Sequence, residues 1–185
     1  TIMQMDAGLD TGAMLPAQAV PIAPGDIAQT LHDKLAITGA QLLLRVLREQ
    51  PQPVPQDSAY ASYAAKISKS EAHIDWARPA AEIDRLIRAF NPAPGAYTTW
   101  NGQGLKIWRA EPDPAVFGAA AGTVVQADNE GVVVATGAGA IRLLDWRNNE
   151  ALYLLTLNPA TTGYTRARFD ITYGGAPTGW SVNLG

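Results

Sequence analysis

Apolar residues recur at helical spacing in two stretches of the chain. The first stretch begins after Gly25 and ends before Pro51. Its apolar face consists of Ile27, Leu31, Leu35, Leu42, Val46 and Leu47. The second begins near Pro79, ends at Asn91-Pro92, and carries Ile83, Leu86, Ile87 and Phe90. The pattern therefore predicts one long and one short amphipathic helix.

From residue 96 onward the apolar positions alternate with a period of two, which is typical of strands. Strands are predicted at residues 96–100, 105–109, 123–127, 132–136 and 141–146. Five short strands after one helix favour a small antiparallel barrel or sandwich. Residues 71–76 also predict an extended segment, in which Ile74 and Trp76 point to the same side.

A proline-rich segment divides the chain. Residues 51–57 contain three prolines, which favour an extended and fairly stiff connector. We therefore assign residues 1–50 to a first domain, residues 51–62 to a linker and residues 63–144 to a second domain. Residues 145–185 are strand-like in pattern and are not assigned to either domain.

Composition narrows the classes of function. Hydrophobic residues make up 47% of the chain and charged residues 17%, which is typical of a globular protein. The net charge of -3 supplies no overall basic field, so any nucleic-acid contact must rest on a local patch. The chain has no cysteine and only two, widely separated histidines, so we expect no metal. It has no apolar run near the roughly 20 residues that span a bilayer, so we expect a cytoplasmic protein without membrane contact.

The start of the chain holds the densest group of chemically functional residues. Residues 1–5 read as a strand entered from its middle, which predicts a chain truncated at its N-terminus. Residues 6–12, Asp-Ala-Gly-Leu-Asp-Thr-Gly, contain two glycines and two aspartates and predict a tight loop. On spacing alone, Asp6 and Asp10 are better explained as turn-forming residues than as catalytic ones.

Three stretches, in this order, resemble the methionyl-tRNA formyltransferase family. Residues 2–12, IMQMDAGLDTG, are similar to the last motif of a folate-dependent formyltransferase domain, which other formyltransferases share. Residues 63–76, YAAKISKSEAHIDW, are similar to the join between the family's two domains and are the most specific of the three. Residues 87–98, IRAFNPAPGAYT, resemble its passage from helix to barrel. The resemblance covers about residues 1–144.

The resemblance implies an α/β fragment, the end of a Rossmann-like formyltransferase domain, followed by a mainly β, oligonucleotide-binding-type barrel domain. In the whole enzyme, a formyl group would pass from 10-formyltetrahydrofolate to the amino group of initiator methionyl-tRNA in translation initiation. The family's upstream Asn-x-His motif and tRNA-inserting loop are not among these residues. We therefore expect this chain alone to be inactive, and we expect the protein to be a monomer.

The same resemblance assigns roles to individual residues. Asp10 would be the catalytic carboxylate that handles the proton of the attacking amine. The folate pocket would be lined by Asp6, Ala7, Gly8, Leu9 and Asp10. Phosphates of the tRNA would be contacted by Lys66, Lys69, Arg88, Lys106 and Arg109. Acidic neighbours dilute this basic group, so a mixed solvated surface is the alternative interpretation.

Some positions depart from the family pattern. Ala13 lies where a polar or acidic residue is frequent, and Ala93 replaces a tryptophan, which removes an aromatic surface. Residues 145–185 lack the family's closing helix, so they are an unrelated fused piece, a shifted reading frame or an unusual terminus. Two alternative functions remain: a sugar-nucleotide formyltransferase, which shares the loop, and a non-catalytic nucleic-acid-binding module.

Overall fold

The computed structural model describes residues 1–115 and 117–148, together with the backbone of four short strands between residues 151 and 183. The chain forms two compact units, Thr1–Ile67 and Ser68–Gly185. The predicted limits of the linker, at residues 51 and 62, stay predictions.

The long predicted helix is confirmed in the first unit as α1, Ala28–Glu49. It begins after Ile27, whose backbone N–H donates to Thr30 Oγ1 at 3.0 Å, and it ends at Gln50, which has a left-handed φ of 43°. Leu42 and Val46 are buried as predicted. Leu35 and Leu47, predicted on the same face, are exposed, so the apolar face of α1 is only partly covered within this unit.

The same unit contains extended segments that pair on either side of the loop of residues 6–12. Gln4 N–H donates to Ala13 O at 2.9 Å, and Leu15 N–H donates to Ile2 O at 2.9 Å. Met14 then forms two hydrogen bonds with Val54, at 2.8 and 2.7 Å. The proline-rich segment is therefore bonded to the segment that follows the loop.

The extended segment predicted at residues 71–76 is wrong at Glu71 and Ala72. A short 3₁₀ helix, Lys69–Ala72, occupies that stretch, and a second one lies at Ser58–Tyr60. The backbone N–H of Ser68 donates to Glu71 Oε1 at 2.7 Å, which closes the turn. Ser-x-x-Glu is a known capping signature, and it was overlooked. His73 and Ile74 are extended as predicted, since His73 forms a β-bridge with Tyr97 and Ile74 N–H donates to Tyr97 O at 2.8 Å, whereas Trp76 lies in a turn.

The second unit contains the short helix and the five strands that were predicted. The helix is α2, Ala80–Ala89. The strands are β1 (Ala96–Trp100), β2 (Gln103–Asp113), β3 (Val124–Asp128), β4 (Gly131–Ala135) and β5 (Ala140–Asn148). They form an antiparallel sheet in the order β1-β2-β5-β4-β3. Helix α2 packs on one face of it through the core residues Ile83, Ile87, Ala96, Ile107, Ile141 and Leu143.

The predicted oligonucleotide-binding-type barrel is not confirmed, because the sheet is open. β1 and β3 are its two edges, and they do not pair with each other in the described residues. Strand count and spacing favoured a barrel, but an open sheet can bury one face under a helix without closing on itself. Here α2 covers that face, with Ile83 and Ile87 almost completely buried.

Strands also occur within the unassigned tail. β5 continues past residue 144 as far as Asn148, and β6 (Ala151–Leu152) pairs with it. β7 (Leu154–Leu157), β8 (Arg166–Thr172) and β9 (Thr178–Asn183) form a separate antiparallel sheet in that order. The main sheet therefore extends into the region that sequence analysis left unassigned.

Candidate functional site

The loop of residues 6–12 is shaped by the side chain of Asp6. Its Oδ1 atom accepts hydrogen bonds from Gly8 N–H at 2.9 Å and from Thr11 Oγ1 at 2.7 Å. This is the local pattern of an Asx turn, in which a carboxylate substitutes for a backbone carbonyl. The turn-forming interpretation is therefore correct for Asp6, and its carboxylate is already engaged.

Gly12 brings the two ends of the loop together. It is buried, and a β-carbon at this position would lie 1.8 Å from the carbonyl oxygen of Gln4. Only glycine allows so close an approach of two backbone segments. The glycine is thus required where the chain returns to pair with its own start.

Asp10 differs from Asp6. It is exposed and adopts a φ of 56°, a left-handed conformation that aspartate tolerates better than most residues. Its carboxylate has no hydrogen-bond partner among the residues that the structure describes. An exposed, unengaged carboxylate on a short loop is chemically able to accept a proton from a substrate amine. Asp6, Ala7, Gly8 and Leu9 are exposed on the same turn.

Sequence reasoning missed Gln56, which contacts this loop from the proline-rich segment. Its Nε2 atom donates to the carbonyl oxygens of Asp10, at 2.9 Å, and of Gly12, at 2.7 Å. The only signal in the sequence is the alternation of prolines with Gln52, Val54 and Gln56, which predicts an extended segment and no particular partner.

The five predicted tRNA-contacting cations are not all in one place. Lys66 lies in the first unit, and Lys69 lies in the second. Both are exposed. Arg88, on α2, forms an ion pair with Asp84 at 3.0 Å, and its side chain is only 23% exposed. It is therefore less available to a phosphate than the two lysines.

Lys106 and Arg109 lie together on β2. Lys106 pairs with Tyr97 on β1 and with Arg147 on β5, and directly paired residues of antiparallel strands project from the same face. The Lys106 Nζ atom also lies 5.8 Å from the centre of the Trp108 ring. We call Tyr97, Lys106, Trp108 and Arg147 the outer sheet face. Arg147 was missed because it falls in the unassigned tail.

Arg109 lies beside this outer sheet face. It is exposed and pairs with Asp145 across a β-bulge that interrupts the register of β2 and β5. The strand register thus places Lys106 opposite Arg147 and Arg109 opposite Asp145, and Arg147 is itself ion-paired with Asp145 at 3.5 Å. This part of the sheet combines three cations and one carboxylate with two aromatic rings. Such a surface is chemically suited to contact phosphates and nucleic-acid bases.

Arg142 is a further cation on β5, but it does not belong to this surface. It bonds Asp113 Oδ2 at 2.9 Å and Asp128 Oδ1 at 3.1 Å, and its side chain is 14% exposed. Desolvation acts against its charge, but the hydrogen bonds to the two aspartates and their negative charges together outweigh it and raise the pKa of Arg142. This arginine ties β2, β5 and the end of β3 together and has a structural role.

Within the described ranges, no group of three or more His, Asp or Glu side chains could hold a metal ion. None of the helices described there has the length and apolar character needed to cross a membrane.

The chain thus combines a tight aspartate-glycine loop with an open antiparallel sheet under α2, and this combination points to the formyl transferases as its class of protein. Residues 66–163, more than half of the 185, match the family described as "Formyl transferase, C-terminal domain". The chain belongs to this family. The match extends past residue 144, where the resemblance was predicted to end.

The particular relatives are methionyl-tRNA formyltransferases, which confirms the predicted resemblance. The protein of that name from Thiobacillus denitrificans is 53% identical over 146 residues, covering 77% of this chain and 47% of the relative. The corresponding protein from Chromobacterium violaceum is 50% identical over 147 residues, with 77% and 47% covered. The chain thus spans about half the length of these relatives.

Solved structures show the same fold. A variant of HypX from Aquifex aeolicus matches with a TM-score of 0.60 and 19% identity, over 80% of this chain and 27% of HypX. HypX in complex with tetrahydrofolic acid matches with a TM-score of 0.59 and 18% identity, over 80% of this chain and 27% of HypX. At this identity the likeness concerns the fold alone.

Proposed function

We propose that the full-length protein transfers the formyl group of 10-formyltetrahydrofolate to the amino group of methionyl-tRNA in translation initiation. The observation that carries this proposal is the identity of about half of all aligned positions to proteins named methionyl-tRNA formyltransferase. The residues of this chain would supply the last part of the catalytic site and a surface for tRNA. Because translation takes place in the cytoplasm, we place the reaction there, and we propose a monomer.

In the proposed reaction, the amine nitrogen of methionyl-tRNA attacks the formyl carbon and forms a C–N bond. Asp10 accepts the proton that the amine nitrogen loses. The tetrahedral intermediate then collapses, the bond to the folate nitrogen breaks, and Asp10 returns the proton to that nitrogen. Oxyanion stabilisation would come from the Asn-x-His motif that the family places upstream. The exposed, unbonded state of the Asp10 carboxylate supports this role.

Folate would bind along residues 6–10. This turn presents Asp6, Ala7, Gly8, Leu9 and Asp10 on one short loop, where backbone groups can line a pterin pocket. The engagement of Asp6 by Gly8 and Thr11 keeps that turn closed.

The tRNA would bind to Lys66, Lys69, Arg88, Lys106 and Arg109 through its phosphates. The register that pairs Lys106 on β2 with Arg147 on β5, with Arg109 exposed further along β2, supports the part of this proposal that concerns the sheet. The ion pair of Arg88 with Asp84 makes it the weakest of the five candidates.

The acceptor is tested by comparing two amines with the full-length protein and 10-formyltetrahydrofolate. One is methionyl-tRNA, and the other is a nucleotide-linked amino sugar. We expect kcat/KM for methionyl-tRNA to be higher by at least about a hundredfold, because the polar groups that recognise one acceptor are left unpaired by another. Uncharged tRNA, which lacks the amino group, is the control. A preference for the amino sugar would favour the sugar-nucleotide alternative, and transfer to neither amine would refute the proposal.

A further inference from the structure

We propose that Gln56 is a positioning residue for the proposed catalytic loop, and that the proline-rich segment holds this loop in its active conformation. The inference rests on the proposed function of Asp10. It changes the interpretation of residues 51–57 from a connector to a part of the catalytic unit. Gln56 itself touches no substrate in this proposal and acts through the backbone of Asp10.

The contact is specific in its chemistry. The Nε2 atom of Gln56 lies 2.9 Å from the carbonyl oxygen of Asp10 and 2.7 Å from that of Gly12. Both partners are acceptors, so the amide nitrogen, with its two N–H donors, must face them. A single side chain thereby holds the peptide groups on both sides of Thr11.

Neighbouring contacts deliver Gln56 to this position. Val54 is bonded to Met14 through both its N–H and its carbonyl, at 2.7 and 2.8 Å. Pro53 and Pro55 lack an N–H and restrict φ, so the segment is extended and Val54 is its only donor between them. In an extended segment, side chains two residues apart lie on the same face. The pairing of Val54 with Met14 fixes the segment beside the end of the loop, and Gln56, two residues further along, reaches the loop from there.

The loop has few other restraints near Asp10. The carboxylate of Asp6 bonds Gly8 and Thr11, and Gln4 bonds Ala13. Asp10 itself has a φ of 56°, and its carboxylate is bonded to nothing in the described residues. Its direction therefore depends on the peptide groups that Gln56 holds. A displacement of about 1 Å from the reactive geometry can cost about a hundredfold in rate.

The test compares Gln56→Glu, Gln56→Lys and the matched control Gln52→Glu in the full-length protein. Glutamate keeps the shape of glutamine but removes the donors, whereas lysine keeps donors within reach. Gln52 is exposed in the same proline-rich segment and undergoes the same charge change. We expect Gln56→Glu to lower kcat by about tenfold, with KM for 10-formyltetrahydrofolate within about twofold of wild type, because misplacement affects the reacting geometry. Gln56→Lys should restore most of kcat, and Gln52→Glu should match wild type.

Amide hydrogen exchange measures the same contact without catalysis. Gln56→Glu should accelerate exchange at the Gln4 and Met14 amides, which are hydrogen-bonded to Ala13 and Val54, and leave the amides of α1 unchanged. If the wild-type protein transferred no formyl group, the proposed function would fail while the exchange result still tested the contact. Equal kcat and equal exchange in Gln56→Glu and Gln52→Glu would overturn the positioning role. So would an equal loss of kcat in Gln56→Lys and Gln56→Glu.

Discussion

Two aspartates of one loop have different environments. The carboxylate of Asp6 is occupied by Gly8 and Thr11, whereas that of Asp10 is unbonded in the described residues. Their sequence spacing does not distinguish them, because each aspartate is followed by a glycine two positions later and both suit a turn. Only the three-dimensional path of the loop separates the residue that shapes it from the residue that is available for chemistry.

Asp26 gives a prediction about stability and pH. Its carboxylate accepts hydrogen bonds from Lys34 Nζ at 2.6 Å and from Ala23 N–H at 2.6 Å. The Lys34 hydrogen bond, then that of Ala23, lowers the pKa of Asp26 below its ordinary 3.8. Because the folded-state pKa is depressed, the stabilisation is fully present above pH 3.8 and is lost as the pH falls through the lower, folded value.

The free energy of unfolding of wild type and Asp26→Asn should therefore differ by a constant amount above about pH 5 and converge in more acidic solution. Urea unfolding across this pH range measures the difference. Lys34→Met, which removes the main cause of the pKa shift, should converge on wild type in the same way. A difference that stays constant down to about pH 2.5 would show that Asp26 is not stabilised as described.

At the scale of elements, the cations on β2 and β5 lead to a prediction of how tRNA binding depends on salt concentration. Each phosphate contact that is lost should reduce the slope of log K against log salt concentration by roughly 0.7 to 0.9. Lys106→Ala and Arg109→Ala should each have this effect on tRNA binding by the full-length protein. Arg78→Ala is the control, because Arg78 is paired with Asp75 and Glu82. Unchanged slopes in the β2 variants would remove this sheet from the proposed tRNA surface.

Helices and strands were predictable to different degrees from sequence. Periodicity predicted α1, α2 and five of the six strands of the main sheet, because in these elements one face is buried or packed. The openness of the sheet was not predictable, since closure depends on whether the two edge strands meet. The 3₁₀ helix at Lys69–Ala72 was missed although its capping sequence was present.

Residues of the candidate site were predictable only where a motif carried them. Asp10 was found through resemblance to a family, whereas Gln56 was not, because its partners are backbone carbonyls more than 40 residues earlier in the chain. Arg147 was likewise missed, since its link to Lys106 is a matter of strand register. Contacts that arise from long-range pairing leave no local pattern in the sequence.

At the scale of the whole molecule, the chain contributes one loop to a proposed active site and one sheet to a proposed tRNA surface. Its two compact units meet in the chain at residues 67 and 68, inside the stretch that most specifically resembles the family. The match of residues 66–163 to the formyl transferase C-terminal domain concerns mainly the second unit. The proposed chemistry depends on Asp10 in the first unit, so the direct test lies there.

That test is single-turnover formyl transfer to methionyl-tRNA by full-length Asp10→Asn. Asparagine keeps the size of aspartate but cannot accept the amine proton, so we expect the rate to fall by about 10² to 10⁴ with tRNA affinity unchanged. Asp33→Asn, an exposed change on α1, should keep the wild-type rate. An Asp10→Asn protein that transfers the formyl group within about twofold of wild type would contradict the role proposed for Asp10.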